Sequence, residues 1–238
     1  FSLVLILSAE TSTGRQKLVL KKVVHHPVNL SITQRQNQAV VEYDILVRLY
    51  PQFQSLPGCA VPSPVAVLPE EEAFVMEFVE GCPLSEQFDH ARYWALPLRF
   101  RELQRSYFLL GQWLKHFQSV TGFERSGPEA FTDLLARCEM RLLAIEQHPA
   151  FDGPAEFRAK VLNFLRGQIA ALPGDSVPIA GRHGDLGDWN VLVTPNGITV
   201  FDFLGYDKEP VVHDVLKVLV SLQSWEVHPL YSRSRVRL

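Results

Sequence analysis

The stretch His183-Gly-Asp-Leu-Gly-Asp-Trp-Asn190-Val-Leu-Val-Thr-Pro-Asn-Gly-Ile-Thr-Val-Phe-Asp202-Phe203 decides how this chain is read. Asn196-Gly197 between two apolar runs is a strong hairpin signal, because both residues accept the positive φ of a tight primed turn. Trp189–Val193 and Ile198–Phe203 are therefore read as the paired strands. Asp185 and Asn190 lie in the loop entering the hairpin, and Asp202 lies at the end of its second strand. Folding brings them to one edge as two carboxylates and an amide. Hard oxygen donors of this kind suit Mg²⁺, which completes its octahedron with phosphate and water.

The rest of the chain bounds what such a cluster can serve. Of 238 residues, 47% are hydrophobic and 21% charged, which excludes a disordered chain. Lys and Arg number 23 against 26 Asp and Glu, so the basic excess of a nucleic-acid binder is missing. Cys59, Cys82 and Cys138 form no CxxC pair, which argues against a zinc knuckle. Their low, odd count fits a reducing cytoplasm rather than a disulfide scaffold. No apolar run nears the roughly 20 residues of a membrane span, so no membrane partner is expected. The opening FSLVLILSA reads as a buried first strand, with the tail of a signal peptide as the alternative. The chain starts without Met and closes on YSRSRVRL, and it is expected to be truncated at both ends.

Residues 1–8 and 17–24 read as a hairpin across Thr11–Arg15, ended by His25-His26-Pro27. Residues 33–50 carry apolar side chains at helical spacing, and Pro51 and Pro57 are expected to break that helix. Two further strands are predicted over 61–67 and 73–79, followed by a break at Gly81. Helices are predicted over 99–120, 128–148, 154–172 and 212–223. The class is α+β, β-rich with one helix over residues 1–80 and mainly helical over 81–238.

HGDxxxxN, a hairpin and then Phe-Asp-Phe resemble the aminoglycoside phosphotransferase and choline kinase-like family, small-molecule relatives of the protein kinases. By average residue usage HGDxxxxN should arise by chance in about one chain in a thousand of this length. Other stretches match in the same order. Asp214 follows Asp202 by twelve residues, just before an apolar helix. Leu18-Val-Leu-Lys21 resembles the strand with the phosphate-binding lysine, and Glu42 the glutamate that pairs with it. Met76-Glu-Phe-Val-Glu-Gly81 resembles the hinge between lobes. The resemblance implies a bilobal protein kinase-like fold, with an N-lobe over 1–80 and a C-lobe over 81–238. It also implies roles. Asp185 would orient or accept the proton of an acceptor hydroxyl. Asn190 and Asp202 would hold Mg²⁺ on the phosphates of ATP or GTP. Lys21, held by Glu42, would contact those phosphates, and the backbone near Glu77, Phe78 and Val79 would bind the purine edge. His183 and Asp214 would support the loop. The implied activity is Mg-dependent transfer of the γ-phosphate of ATP or GTP to a hydroxyl of a small metabolite or antibiotic, such as an aminoglycoside, a choline-like alcohol or a sugar.

The chain also departs from the family. No glycine-rich loop is present, so the phosphate-covering loop either lies upstream or is made of Ser8-Ala9-Glu10. Phe203 stands where many members have Trp. These gaps keep a second reading open, a kinase-like nucleotide- or ligand-binding module without catalysis. Gly184-Asp185-x-x-Asp188 superficially matches the metallophosphoesterases, but their Asp-x-His and Gly-Asn-His partners are missing. A protein kinase is disfavoured by HGD in place of HRD and by Leu204 in place of Gly. Lys21 and Lys22 face opposite ways on a strand, and Val19 two positions earlier favours Lys21 as the inner one. Trp113 and Phe117 are expected in the core, Asp188 in solvent, and Asp207 and Glu209 near a cationic acceptor.

Overall fold

Side chains alternate across Leu18-Val-Leu-Lys-Lys-Val23, and which ones turn inward organises the N-terminal sheet. The computed structural model describes residues 2–11, 14–24, 37–87, 97–203 and 205–224. β1 (Ser2–Thr11) pairs antiparallel with β2 (Gly14–Val23), from Ser2 opposite Val23 to Thr11 opposite Gly14. β2 then pairs with β5 (Ala73–Glu77), and β5 with β4 (Pro64–Leu68), giving the order β1-β2-β5-β4. The hairpin turn is tighter than Thr11–Arg15, since Thr11 and Gly14 are already paired. Residues 12 and 13, His25-His26-Pro27, residues 33–36 and Leu204 lie outside the described residues.

Two expectations fail here. The first strand is not buried: β1 is the sheet edge, and Leu3 to Leu7 are 37–63% exposed. The reason is that α1 (Gln38–Phe53) packs on β2, β4 and β5 instead. Ser8, Ala9 and Glu10 pair with Lys17, Gln16 and Arg15, so they form strand and no phosphate-covering loop.

α1 is capped by Asn37, whose side chain accepts from the Val40 amide at 3.3 Å. Ala39, Glu42, Ile45, Leu46, Leu49 and Phe53 recur every three or four residues and form its buried face. Pro51 does not break this helix but lies inside it. It sits in the last turn, where its missing N–H forfeits only the bond to the carbonyl of exposed Val47.

The second sheet has the order β3-β10-β9-β6, built from β3 (Cys59–Ala60), β6 (Cys82–Pro83), β9 (Val191–Thr194) and β10 (Gly197–Val200). Gly197 has φ +139°, and a Cβ there would lie 2.1 Å from the Gly58 carbonyl oxygen, so only glycine closes this turn. The strands are shorter than predicted. Asp188–Asn190 form a 3₁₀ turn, and Phe201-Asp-Phe203 lies past the end of β10. α2 (Pro97–Val120), α3 (Thr132–Glu146), α4 (Phe157–Ala170) and α5 (Val212–Ser224) supply the helical part. α3 starts later than predicted because Pro128–Phe131 is a separate 3₁₀ turn. A third sheet, β11 (Asp207–Pro210), β8 (Val177–Arg182) and β7 (Glu124–Ser126), joins these helices.

The core centres on α2. Trp113 and Phe117 stack with centroids 5.0 Å apart, and Phe203 lies about 6 Å from each, at 6.1 and 6.0 Å. The indole N–H of Trp113 donates to the Ala60 carbonyl at 3.0 Å, which satisfies its one polar atom. Since Phe203 adjoins Asp202, the core itself fixes that aspartate. Trp113→Ala is expected to cost about 3–5 kcal/mol. Urea unfolding checks this, and an unchanged midpoint would remove Trp113 from the core.

Candidate active site

Strand alternation turns Lys21 inward, 4% exposed, and sends Lys22 out to Glu71 at 3.3 Å. The Lys21 ammonium donates to Glu42 Oε1 at 2.8 Å, to Glu42 Oε2 at 2.7 Å and to Asp202 Oδ1 at 2.7 Å. Its three protons thus have three carboxylate acceptors. Glu42 Oε1 also accepts the Phe203 amide at 3.0 Å. Burial pushes the Glu42 carboxyl up from its ordinary value; the Lys21 charge and the Phe203 amide oppose it, and the Asp202 charge reinforces it. Asp202 itself is held at φ +70°, a left-handed conformation costing a non-glycine residue about 1 kcal/mol. The Phe203 amide bond and the burial of the Phe203 ring hold it there.

The loop before the hairpin is held largely through its backbone. Asp214 Oδ2 accepts the His183 amide at 2.7 Å, and Oδ1 accepts the Gly184 amide at 3.1 Å. Asp214 also lies in the first turn of α5, where the helix dipole favours a carboxylate. Burial alone would raise the Asp214 carboxyl, but the His213 ring and these two amides more than offset it and hold it low. His183 is fully buried, and burial depresses its pKa. Its Nε2 lies 3.0 Å from the Phe201 carbonyl and donates to it in the neutral ring, while Nδ1 has no partner. Gly184 has φ +88°, and a Cβ there would come within 2.4 Å of the Gly205 carbonyl oxygen.

Asp185 emerges half exposed, at 47%, from this frame. Its Oδ2 accepts Asn190 Nδ2 at 3.2 Å and the Trp189 indole at 3.3 Å. Its backbone carbonyl accepts Asn190 Nδ2 at 2.9 Å. The Asn190 amide nitrogen is thereby engaged, which leaves its oxygen as a donor to a cation. Among the described residues no group of three or more His, Cys, Asp or Glu could hold a metal. Mg²⁺ carried on substrate phosphates needs only one or two carboxylates besides. The hard oxygens of Asn190 and Asp202 fit that requirement.

Several sequence expectations need revision. Asp188 is not solvent-facing but 2% exposed, and its Oδ1 accepts the Ser221 hydroxyl at 2.8 Å. The 3₁₀ turn rotates Asp188 inward and leaves Trp189 exposed. Of the hinge residues, Glu77 gives its amide to Ser63 at 2.9 Å and Phe78 gives its amide to Lys17 at 3.3 Å. Val79 lies past the end of β5, which stops at Glu77. Glu209 is no open acid: Arg137 lies 2.6 Å from it and Arg182 3.4 Å. A cavity of about 550 Å³ borders Glu77, Val79, Glu80, Thr194 and Asn196, and none of Lys21, Asp185, Asn190 or Asp202 lines it. Lys217 was missed. Its Nζ lies 3.0 Å from Asp185 Oδ1 and 5.4 Å from the Trp189 ring centroid. The available signal was its place one helical turn after Asp214, on the same face.

The model of the phosphotransferase enzyme family matches residues 10–234. Among solved structures, a glucosamine kinase in complex with glucosamine, ADP and inorganic phosphate gives a TM-score of 0.65 at 16% identity, over 99% of this chain and 65% of that one. A choline/ethanolamine kinase family protein from Mesorhizobium loti gives 0.52 at 14% identity, over 91% and 63%. A thermostable mutant of the aminoglycoside phosphotransferase APH(4)-Ia, in ternary complex with ADP and hygromycin B, gives 0.54 at 13%, over 93% and 77%. At such identities the likeness is one of fold. This chain spans 63–65% of the length of the first two proteins. No curated protein matches its sequence.

The frame around His183 has a pH signature. A histidine depressed below its ordinary value near 6.5 gives stability that is full above that value and lost as pH falls towards its folded pKa. Asp214, also depressed, loses its contribution further into acid. The urea midpoint is therefore expected to drop between about pH 7.5 and about pH 5.5, with a shallower drop in His183→Asn. An equal drop in the variant would assign the effect to other groups.

Proposed function

Because the chain belongs to the phosphotransferase enzyme family and has its protein kinase-like α+β fold, we propose that it moves the γ-phosphate of ATP or GTP to a hydroxyl of a small molecule. The observation that carries this reading is the convergence of Lys21, Glu42 and Asp202 in one bonded set, with the half-exposed Asp185 braced by Asn190. Phosphoryl transfer asks a protein mainly to position groups and stabilise charge. Asp185 orients the acceptor hydroxyl and takes its proton. Lys21, kept in place by Glu42, exchanges its Asp202 contact for a phosphate oxygen. Asn190 and Asp202 would hold Mg²⁺, which neutralises phosphate charge when bound. The Val79 amide meets the purine edge. Residues 1–80 act as a nucleotide lobe and 81–238 as a catalytic lobe. No helix of the described residues is long and apolar enough to cross a membrane. Three free cysteines suit a reducing, cytoplasmic setting.

The second reading, a nucleotide- or ligand-binding module, draws support from β1. With Ser8–Glu10 in a strand, no phosphate-covering loop exists among the described residues. Calorimetric titration of ATP and GTP, with and without Mg²⁺, separates the two when followed by an acceptor screen. Wild type is expected to bind nucleotide in a magnesium-dependent way, and Asp202→Ala to lose most of that dependence. Asp185→Ala is expected to keep binding while transfer falls by about a hundredfold or more. Binding without turnover across a broad panel of alcohols would favour the module, and no nucleotide binding by folded wild type would sink the kinase and leave a module for another ligand.

A further inference from the structure

We propose that Lys217 is a resident cation on the acceptor side of the site, and that it restricts the acceptor to molecules with no positive charge beside the reacting hydroxyl. This rests on the reading of Asp185 as the residue that meets that hydroxyl.

A half-exposed carboxylate next to an exposed indole is what binds an ammonium group: the carboxylate pairs with the charge and the ring face attracts it. In this chain the same two groups already hold an ammonium, that of Lys217. It lies 3.0 Å from Asp185 Oδ1 and 5.4 Å from the Trp189 ring centroid. The lysine is delivered there by packing rather than by chance. Asp214, one turn before it on α5, is bonded to the His183 and Gly184 amides. Ser221, one turn after it, is bonded to buried Asp188. α5 is thus fixed to the loop on both sides of Lys217, and all three side chains share one helix face.

The neighbouring acids offer an incoming cation little else. Asp202 is paired with Lys21 and, on the proposed reading, would hold Mg²⁺ once nucleotide binds, and Asp188 is buried against Ser221. Glu209 sits between Arg137 and Arg182, and Asp207, whose Oδ1 accepts the Lys208 amide, is the exposed acid of β11. A neutral hydroxyl can donate to the second lone pair of Asp185 Oδ1, beside Lys217. An acceptor ammonium must displace Lys217 or sit beside a like charge. Rejection by a placed repulsive group is a recognised route to specificity.

Glucose and glucosamine form a minimal pair, differing in a hydroxyl or an ammonium at one carbon. Each is titrated into the full chain with Mg²⁺ and a non-hydrolysable ATP analogue, using wild type, Lys217→Met and Lys217→Arg. Wild type is expected to favour glucose. Lys217→Met is expected to shift the affinity ratio about tenfold towards glucosamine. Lys217→Arg keeps the charge and leaves the ratio where wild type has it. A wild-type preference for glucosamine, an unshifted ratio in Lys217→Met, or no glucosamine binding by that variant overturns the proposal. The readout is binding, so a failure of the kinase reading registers separately, as loss of nucleotide binding in the same titrations or absence of transfer to any acceptor.

Discussion

The buried Glu42 carboxylate is the interaction on which the rest depends. It accepts the Lys21 ammonium on both oxygens and the Phe203 amide on one. Three segments meet there: β2, α1 and the turn after β10. Their sequence separations, 21 residues to Lys21 and 161 to Phe203, show that this is a tertiary constraint and not a local one. Burying such a pair does not by itself add stability, because desolvation cancels much of the attraction. What it adds is uniqueness. A cation, two carboxylates and an amide satisfy one another in one arrangement, and a shift of α1 by one turn would strand a buried charge.

A second layer of support comes from the core. Phe203 lies 4.6 Å from the His183 ring and about 6 Å from Trp113, at 6.1 Å. The aromatic group therefore touches both ends of the site, the loop that presents Asp185 and the turn that presents Asp202. His183 is kept neutral by burial and uses Nε2 to hold the Phe201 carbonyl. The left-handed Asp202 persists because its neighbours on either side are fixed. On the proposed reading one half-exposed acid stands on a buried, hydrogen-bonded base, a division suited to chemistry that depends on placement.

Much of this was legible in the sequence. Asn196-Gly197 marked the hairpin, the alternation of Lys21 and Lys22 indicated the inner lysine, and helical spacing put Trp113 and Phe117 in the core. What stayed hidden has physical reasons. β7, Glu124-Arg-Ser126, and β11, Asp207-Lys-Glu-Pro210, carry no apolar alternation; they are strands because β8 offers backbone partners on both edges. The composition of β1 suggests burial, but burial depends on what packs above a strand, and α1 packs elsewhere. Asp188 looked like a solvent residue until the 3₁₀ turn rotated it under α5. Lys217 belongs to no motif, and only the docking of α5 brings it to Asp185.

The order β3-β10-β9-β6 has a mechanical consequence. The chain leaves the hairpin sheet at Ala60 and returns to it at Cys82, so β4 and β5 form a detour anchored at both ends. Gly81 sits tightly at the second anchor, where a Cβ would meet the Val193 carbonyl oxygen at 2.8 Å. Pulling the detour away from either anchor breaks ladder hydrogen bonds, each worth about 1 kcal/mol. The Glu42 bond to the Phe203 amide and the stacking of Phe53 on Trp113, ring centroids 5.3 Å apart, add fastenings away from those anchors. The N-terminal sheet is thus riveted at several separate points, and a load on one rivet is carried by the others.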